Sequence, residues 1–218
     1  MAEPEHARGL GAGGWKMVGG ELCLDFANTV DWHASGKPGE WLLGYEDLVA
    51  WSRQAGILSG GEAKRLVLLA SRRPHLAEAA LRRATALREA IYRIFRSLAV
   101  EASPPASDLR LLNEALAEAM PHLKVARRRD SYAWEWADVG ESLDGMLWPI
   151  LRSAADVLTS EKRTRLGQCA DDRGCGWLFL DTSKNHSRRW CDMEDCGNRA
   201  KARRHYLRER GRSASGAG

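Results

Sequence analysis

Four of the five cysteines in this 218-residue chain lie within 28 residues, and this cluster constrains the fold more than any other feature. Five residues separate Cys169 from Cys175, and four separate Cys191 from Cys196. Two close pairs of thiolates on either side of a short connection can converge on one point, where four sulfurs suit a tetrahedral Zn²⁺ ion. The spacing predicts a structural zinc site, because four protein ligands leave no position for water or substrate.

The residues around the cysteines predict the shape of the zinc module. Gly176 permits a tight knuckle turn after the second cysteine. Trp177–Leu180 is a β-prone run, and Ser187–Trp190 is predicted to return as its partner strand. Asn198 is a good N-cap for a basic helix over Ala200–Arg210. A knuckle, a hairpin and a helix that follows the last ligand make a treble-clef-like four-cysteine zinc finger.

The same residues resemble a known family. The run CDMEDCGNR at residues 191–199, which follows GWLFLD at 176–181, is similar to the CGNR zinc finger. In that family the finger follows an N-terminal ABATE domain, and LCLDFANT at residues 22–29 resembles the opening motif of that domain. Together the two resemblances cover nearly the whole chain. They imply a bacterial transcription regulator, with a link to stress.

The chain divides into four predicted parts: a flexible leader at residues 1–14, an ABATE-like domain at 15–160, the zinc finger with its basic helix at 161–212, and a disordered tail at 213–218. The leader has no apolar core of the kind that a signal peptide needs. No apolar run approaches the roughly 20 residues that span a bilayer. We therefore expect a cytoplasmic protein with no membrane partner. A reducing cytosol agrees with paired cysteines that are held by metal rather than by disulfides, and Cys23 is expected to be a small buried apolar side chain.

Apolar periodicity predicts a mostly helical N-terminal domain. Residues 21–30 could be a strand or an extended lead-in to a helix. Helices are expected at 41–54, 62–71, 74–98, 108–120 and 141–159, the last with a kink at Pro149. The arginines of the long third helix are read as a solvated face. A β-hairpin is expected from 123–126 and 132–136, so the fold class is α+β with a small antiparallel β element.

Positive charge is concentrated beside the finger. Residues 160–218 hold 14 Lys and Arg against 8 Asp and Glu, whereas the whole chain has a net charge of only +4. Such a polycation suits the phosphates of double-stranded DNA, and Ala200 and Leu207 would pack its helix onto the finger. The predicted nucleic-acid contacts are Lys184, Arg188, Arg189, Arg199, Lys201, Arg203, Arg204 and Arg208.

Two alternatives to DNA contact remain open at this stage. Zinc bound by four thiolates carries a formal charge of −2, so some of these cations could only compensate the site. The finger could also dock an acidic protein of the transcription machinery, because treble clefs serve both purposes. One finger reads little sequence on its own, so a specific regulator would need a homodimer or a partner.

The N-terminal domain contains one candidate pocket for a small-molecule effector. Asp25, Asn28 and Thr29 lie among apolar residues, and Trp134 and Trp136 share one strand face, which together supply polar anchors and an apolar wall. The simpler interpretation is that the polar trio satisfies nearby backbone groups. The sequence has no nucleotide-binding glycine loop, no open metal site and no nucleophile beside a base, so we expect no enzymatic activity.

Overall fold

The computed structural model describes residues 14–215, with side chains as far as Arg210. The predicted leader therefore lies almost entirely outside the described residues. The α-helices are α1 (Leu22–Ala27), α2 (Tyr45–Gln54), α3 (Gly60–Arg72), α4 (Pro74–Ala99), α5 (Ala106–Ala119), α6 (Leu147–Leu158) and α7 (Asn198–Ser215). No helix in the described range is both long enough and apolar enough to cross a bilayer.

The strands form three separate antiparallel pairs. They are β1 (Val30–Asp31) with β2 (Gly39–Glu40), β3 (Leu123–Arg128) with β4 (Ser131–Trp136), and β5 (Leu166–Gln168) with β6 (Leu178–Leu180). The predicted α+β class, mostly helical with small antiparallel elements, is confirmed. The predicted hairpin at 123–136 is present, and its strands are longer than predicted.

Helix α4 is the centre of the core. Pro74 begins it, at a position where a missing N–H is harmless, and apolar residues at three- and four-residue spacing face α1, α2, α3 and α5. Arg88 of α4 is an exception to the predicted solvated arginine face, since only 3% of it is exposed. Its guanidinium donates to both oxygens of Glu40 at 2.7 and 2.6 Å. A buried charge must be paired in this way to be tolerated.

Two predicted helices differ in their limits. Residues 21–30, for which the sequence allows a strand or a lead-in, contain the short buried helix α1. The helix predicted at 141–159 begins only at Leu147, so Pro149 lies in its first turn. A proline there removes no intrahelical hydrogen bond, so Pro149 gives the helix no reason to kink as predicted.

The strand pairing predicted for the finger is wrong. Strand β6 pairs with β5, which precedes Cys169, and not with Ser187–Trp190. Gly167 lies opposite Phe179, where an added Cβ would come within 2.6 Å of the Phe179 ring. The aromatic ring therefore crosses the partner strand at its glycine, a long-range fit that a scan for β-prone runs does not detect.

The start of the last helix also differs from the prediction. Asn198 is not an N-cap, because a π-helical turn at Met193–Gly197 runs directly into α7. The cap is Asp192, whose side chain accepts from the Glu194 N–H at 2.8 Å. Leu207 is 57% exposed and does not pack on the finger, contrary to expectation. Helix α7 continues to Ser215, so the first residues of the predicted disordered tail are helical.

Strand β6 of the finger contributes to the hydrophobic core of the helical domain, whereas Trp177 and Phe179 lie in a separate cluster around the cysteines. Leu178 and Leu180 of β6 are buried in the same cluster as α1 and α4. Asn28 is 1% exposed; its Nδ2 donates to Leu178 O and its Oδ1 accepts from Leu178 N, both at 2.8 Å. The Trp177 indole donates to Val30 O at 2.7 Å. The amide of Asn28 thus acts as a strand edge for the finger.

We predict that Asn28→Ala lowers the free energy of unfolding by about 2–4 kcal/mol, because it leaves two buried backbone groups of Leu178 without partners. Denaturant unfolding followed by tryptophan fluorescence measures this change. The matched control is Asn113→Ala, an exposed asparagine on α5, which should change stability by less than about 0.5 kcal/mol. Equal stability of the two variants would contradict the proposed role of the Asn28 amide.

Candidate metal centre

The four predicted ligands meet at one point. The sulfurs of Cys169, Cys175, Cys191 and Cys196 all lie within 4.8 Å of one another, and all four residues are buried. The Cys175–Cys191 and Cys191–Cys196 sulfur distances are both 3.6 Å. Zn–S bonds of about 2.3 Å in a tetrahedron give sulfur separations of about 3.8 Å, whereas a disulfide is about 2.05 Å. The arrangement fits one structural zinc ion.

The knuckle of the first cysteine pair depends on close packing against the N-terminal domain. Gly174 and Gly176 have φ of +91° and +68°, and a Cβ on Gly176 would lie 2.5 Å from the Ala34 Cβ. The N–H groups of His33 and Ala34 donate to Cys175 O and Gly174 O at 3.0 and 3.1 Å. Glycine is needed here both for the left-handed backbone and for the approach of this loop. Gly176 therefore has the turn-forming role predicted for it.

Hydrogen bonds from Cys175, Cys191 and Cys196 lower the pKa of the Cys169 thiol, so without a metal this thiol ionises before the others. Hydrogen bonding to Cys169, followed by Cys191 and Cys196, raises the pKa of the Cys175 thiol, and burial raises it further. The pKa of the Cys191 thiol is also raised, first by Cys169. Four crowded thiolates repel one another, whereas a bound Zn²⁺ stabilises each of them in the deprotonated form. The bound site keeps a formal charge of −2.

Arg199 compensates that charge. The sequence predicts that it contacts nucleic acid, but its guanidinium donates to Cys196 Sγ at 2.8 Å and to Asp171 Oδ2 at 3.1 and 3.2 Å. It also pairs with Asp195 and lies 5.0 Å from the centre of the Trp32 ring. Asp171 follows the first cysteine and Arg199 follows the last, so this ion pair joins the two halves of the finger.

Arg188 is a second cation used inside the fold. Its guanidinium donates to the carbonyls of Leu180, Val18, Trp190 and Cys191, and it lies 4.3 Å from the centre of the Phe179 ring. Four backbone acceptors exhaust most of its donors. The prediction that Arg188 contacts nucleic acid therefore does not agree with this geometry.

The other predicted cations remain at the surface. Arg203 forms an exposed ion pair with Asp172 at 3.2 Å. Arg189 is exposed and lies over the Trp190 ring at 5.4 Å. Four further side chains are exposed and have no ion-pair partner among the described residues. These are Lys184, Lys201, Arg204 and Arg208.

The residues of the predicted effector pocket are not brought together as a cavity. Asp25 accepts from the Gly19 N–H at 2.8 Å, Asn28 holds β6, and the Thr29 hydroxyl donates to Phe26 O at 2.8 Å. Asp25 and Thr29 thus satisfy local backbone, as the simpler interpretation expects, whereas Asn28 pairs with a strand 150 residues away.

The two tryptophans of the same predicted pocket lie elsewhere. Trp134 is 60% exposed on the β3–β4 hairpin, and Trp136 packs near Trp148. An open cleft lies between α3, α4 and residues 141–144, and none of the five predicted pocket residues lines it.

Sequence reasoning missed the residues that support the metal centre from the N-terminal domain. The His33 ring stacks on Tyr92 at 3.5 Å, and its Nε2 lies 2.9 Å from Glu89 Oε2. Trp32 lies between Arg199 and Arg173, with the guanidinium carbons 5.0 and 4.8 Å from its ring centre. Both residues are more than 130 positions away from the cysteines in sequence. No local pattern in a single sequence connects them to the finger.

We predict that Arg199→Gln weakens zinc binding roughly 10- to 100-fold, because it removes the cation that balances the thiolates. Transfer of zinc to a chromogenic chelator measures this, starting from one zinc per wild-type chain. Arg203→Gln is the matched control, since Arg203 lies on the same helix but pairs only with exposed Asp172. If Arg199→Gln binds zinc as tightly as wild type does in this competition, the arginine does not support the metal.

We predict that Asp25 makes stability depend on pH. Burial raises the pKa of Asp25 to about 6, against a value near 4 in the unfolded chain. A raised pKa in the folded state favours the protonated form, so this contribution is complete below pH 4 and is lost as the pH rises through 6. Relative to wild type, Asp25→Asn should gain melting temperature between pH 4 and 7. A difference in melting temperature that stays constant over that range would contradict the assignment.

The comparisons with known proteins agree with this architecture. Residues 20–161 match the ABATE family, described as "Putative stress-induced transcription regulator", and residues 165–209 match the CGNR zinc finger. No curated protein matches the chain. The first match covers well over half of the sequence, and the second contains all four cysteines that meet at the metal centre. The chain therefore belongs to the ABATE family and carries a CGNR zinc finger with one structural zinc ion.

Proposed function

We propose that this protein is a zinc-dependent transcription regulator that binds double-stranded DNA through α7. The observation that carries the proposal is a basic helix that begins inside the metal centre and exposes its side chains to solvent. Every residue from 201 to 210 is exposed. Over these residues the helix buries no face against the rest of the chain, so its whole surface is available to a partner.

The free cations of α7 share one face. Lys201, Arg204 and Arg208 are spaced by three and four residues, so they follow one another along the helix surface. The cations already engaged by the protein lie towards the other side: Arg199 pairs with Asp171, and Arg203 pairs with Asp172. The exposed stripe is therefore purely basic. Lys184 and Arg189, on the loop before the third cysteine, supply further exposed positive charge.

The metal centre gives this stripe a fixed direction. Cys196 lies in the π-helical turn that continues into α7, and Arg199 in the first turn of α7 donates to its sulfur. The helix is thus attached to the zinc site through a ligand and a charged hydrogen bond. Preorganisation of this kind reduces the entropy lost when a surface binds its partner.

Phosphate contacts from one helix position a protein on DNA but carry little sequence information. We therefore propose that sequence specificity comes from a homodimer or from a second protein, which would place two such helices or add further readout. The competing candidate is an acidic protein of the transcription machinery bound by the same stripe. The salt dependence of binding separates the two, because release of condensed counterions is a property of nucleic acid.

We predict that replacing Lys201, Arg204 and Arg208 together with alanine weakens binding to duplex DNA. The slope of log K against log salt should fall in magnitude by about 0.9 for each phosphate that is no longer neutralised. Alanine favours helix, so α7 and the zinc content should be unchanged. Fluorescence anisotropy with a labelled duplex at several salt concentrations measures both affinity and slope.

The matched control replaces Arg65, Arg72 and Arg110 with alanine. These arginines are exposed on α3 and α5, so the control changes the net charge equally. If α7 is the element that binds DNA, only the α7 variant should bind the duplex more weakly. Equal weakening in both variants indicates nonspecific attraction to a positive protein, and unchanged affinity and slope in the α7 variant would exclude α7 as the DNA-binding element.

A further inference from the structure

The β3–β4 hairpin presents an exposed aromatic face. Register places Val125 opposite Trp134 and Arg127 opposite Tyr132, so these four side chains share one side of the ribbon. Val125, Tyr132 and Trp134 are 59%, 74% and 60% exposed. Large aromatic side chains grouped at this exposure mark a binding surface more often than a structural one. The helical core covers this face only at its other end, where Trp136 packs near Trp148 of α6.

The end of the same hairpin is basic. Arg127, Arg128 and Arg129 follow one another, and together with Asp130 and Ser131 they line an open concave surface. Arg128 pairs with Glu135 at 2.6 Å, but within the described part of the chain the side chains of Arg127 and Arg129 have no ion-pair or hydrogen-bond partner. Arg152 of α6 adds positive charge and covers part of one aromatic ring, since its guanidinium carbon lies over the Trp134 ring, 4.7 Å from the ring centre.

The turn of the hairpin holds an arginine where a glycine would fit more easily. Arg129 has φ of +44°, in the left-handed region that side chains other than glycine, asparagine and aspartate rarely adopt. The two-residue turn Arg129-Asp130 thus keeps a guanidinium at the tip at some cost in backbone strain. Strained residues of this kind concentrate at functional sites.

We infer that this hairpin binds single-stranded nucleic acid, with bases stacked on Tyr132 and Trp134 and phosphates held by Arg127 and Arg129. Aromatic rings combined with a positive surface are the general means by which proteins bind unpaired strands. The two rings are two residues apart on β4, about 7 Å, compared with the ~3.4 Å rise per nucleotide in a duplex. This spacing suits an unstacked strand. In a duplex the base faces are covered by their neighbours, so the rings would have nothing to stack on.

Charge also selects against the other occupants of this face. A second copy of the chain, packed through the same surface, would bring Arg127 and Arg129 of both copies together. The surface is open, so it offers no enclosure for a small molecule. Single-stranded nucleic acid matches both parts of the surface, because its phosphates can pair with the arginines and its bases can stack on the aromatic rings. The inference concerns a different surface and a different form of nucleic acid from the proposed function, and it does not rest on that function.

The test uses the full-length zinc-bound protein and a labelled oligothymidylate of about 12 nucleotides, within the range of known single-strand sites. Wild type should bind it in a salt-dependent manner. Removal of each ring, in Tyr132→Ala and Trp134→Ala, should weaken binding by about tenfold. Tyr206→Ala is the matched control, because Tyr206 is also exposed but lies on α7. It should bind as wild type does.

A second variant separates binding from folding. Arg129→Gly removes a guanidinium and at the same time relieves the backbone strain, so it should melt no lower than wild type and yet bind the oligothymidylate more weakly. The triple alanine variant of Arg65, Arg72 and Arg110, which lie outside both proposed surfaces, should keep its affinity for the oligothymidylate. The inference is overturned if wild type does not bind the oligothymidylate, or if the Tyr132 and Trp134 variants bind it as tightly as wild type.

Discussion

The mutual repulsion of four thiolates is the constraint on which the C-terminal part of this protein depends. Zinc removes two of the four negative charges, and the remainder must be balanced inside the protein. Arg199 offsets part of that remainder from the first turn of α7, and Asp171 holds that arginine in place. A group that the sequence predicts to face a phosphate is thus used to stabilise the metal site. The helix surface that remains is the stripe of Lys201, Arg204 and Arg208.

The roles that depend on neighbouring residues could be predicted from the sequence, whereas the pairing of distant segments could not. The four ligands follow from spacing alone, because ligands of one ion must be brought together by short loops. Gly176 was likewise recognisable as a turn residue. Strand β6, however, has a β-prone sequence that is compatible with several partners, and its choice of β5 depends on a ring of Phe179 fitting over Gly167. That fit depends on both segments, so the sequence of either segment alone does not reveal it.

Arginine was the residue type whose role was hardest to predict. The same side chain balances buried charge at Arg88 and Arg199, collects backbone carbonyls at Arg188, and stays solvated at Arg204. What separates these cases is the number of acceptors within reach, and those acceptors come from distant parts of the chain. The buried polar trio shows the same division: the rule that buried polar groups are paired predicts the local bonds of Asp25 and Thr29, but not the pairing of Asn28 with Leu178.

The pairing of the Asn28 amide with β6 limits where this chain can be divided into separate domains. The family matches divide the chain between residues 161 and 165, yet Trp177, Leu178 and Leu180 are covered by residues before that boundary. A finger excised at residue 165 would carry an uncovered apolar strand and two unpaired backbone groups into water. Grafting this zinc module onto a foreign protein would therefore require the N-terminal residues and the part of α4 that cover it as well. The part of the chain that would have to be transferred is therefore larger than the zinc-finger motif itself.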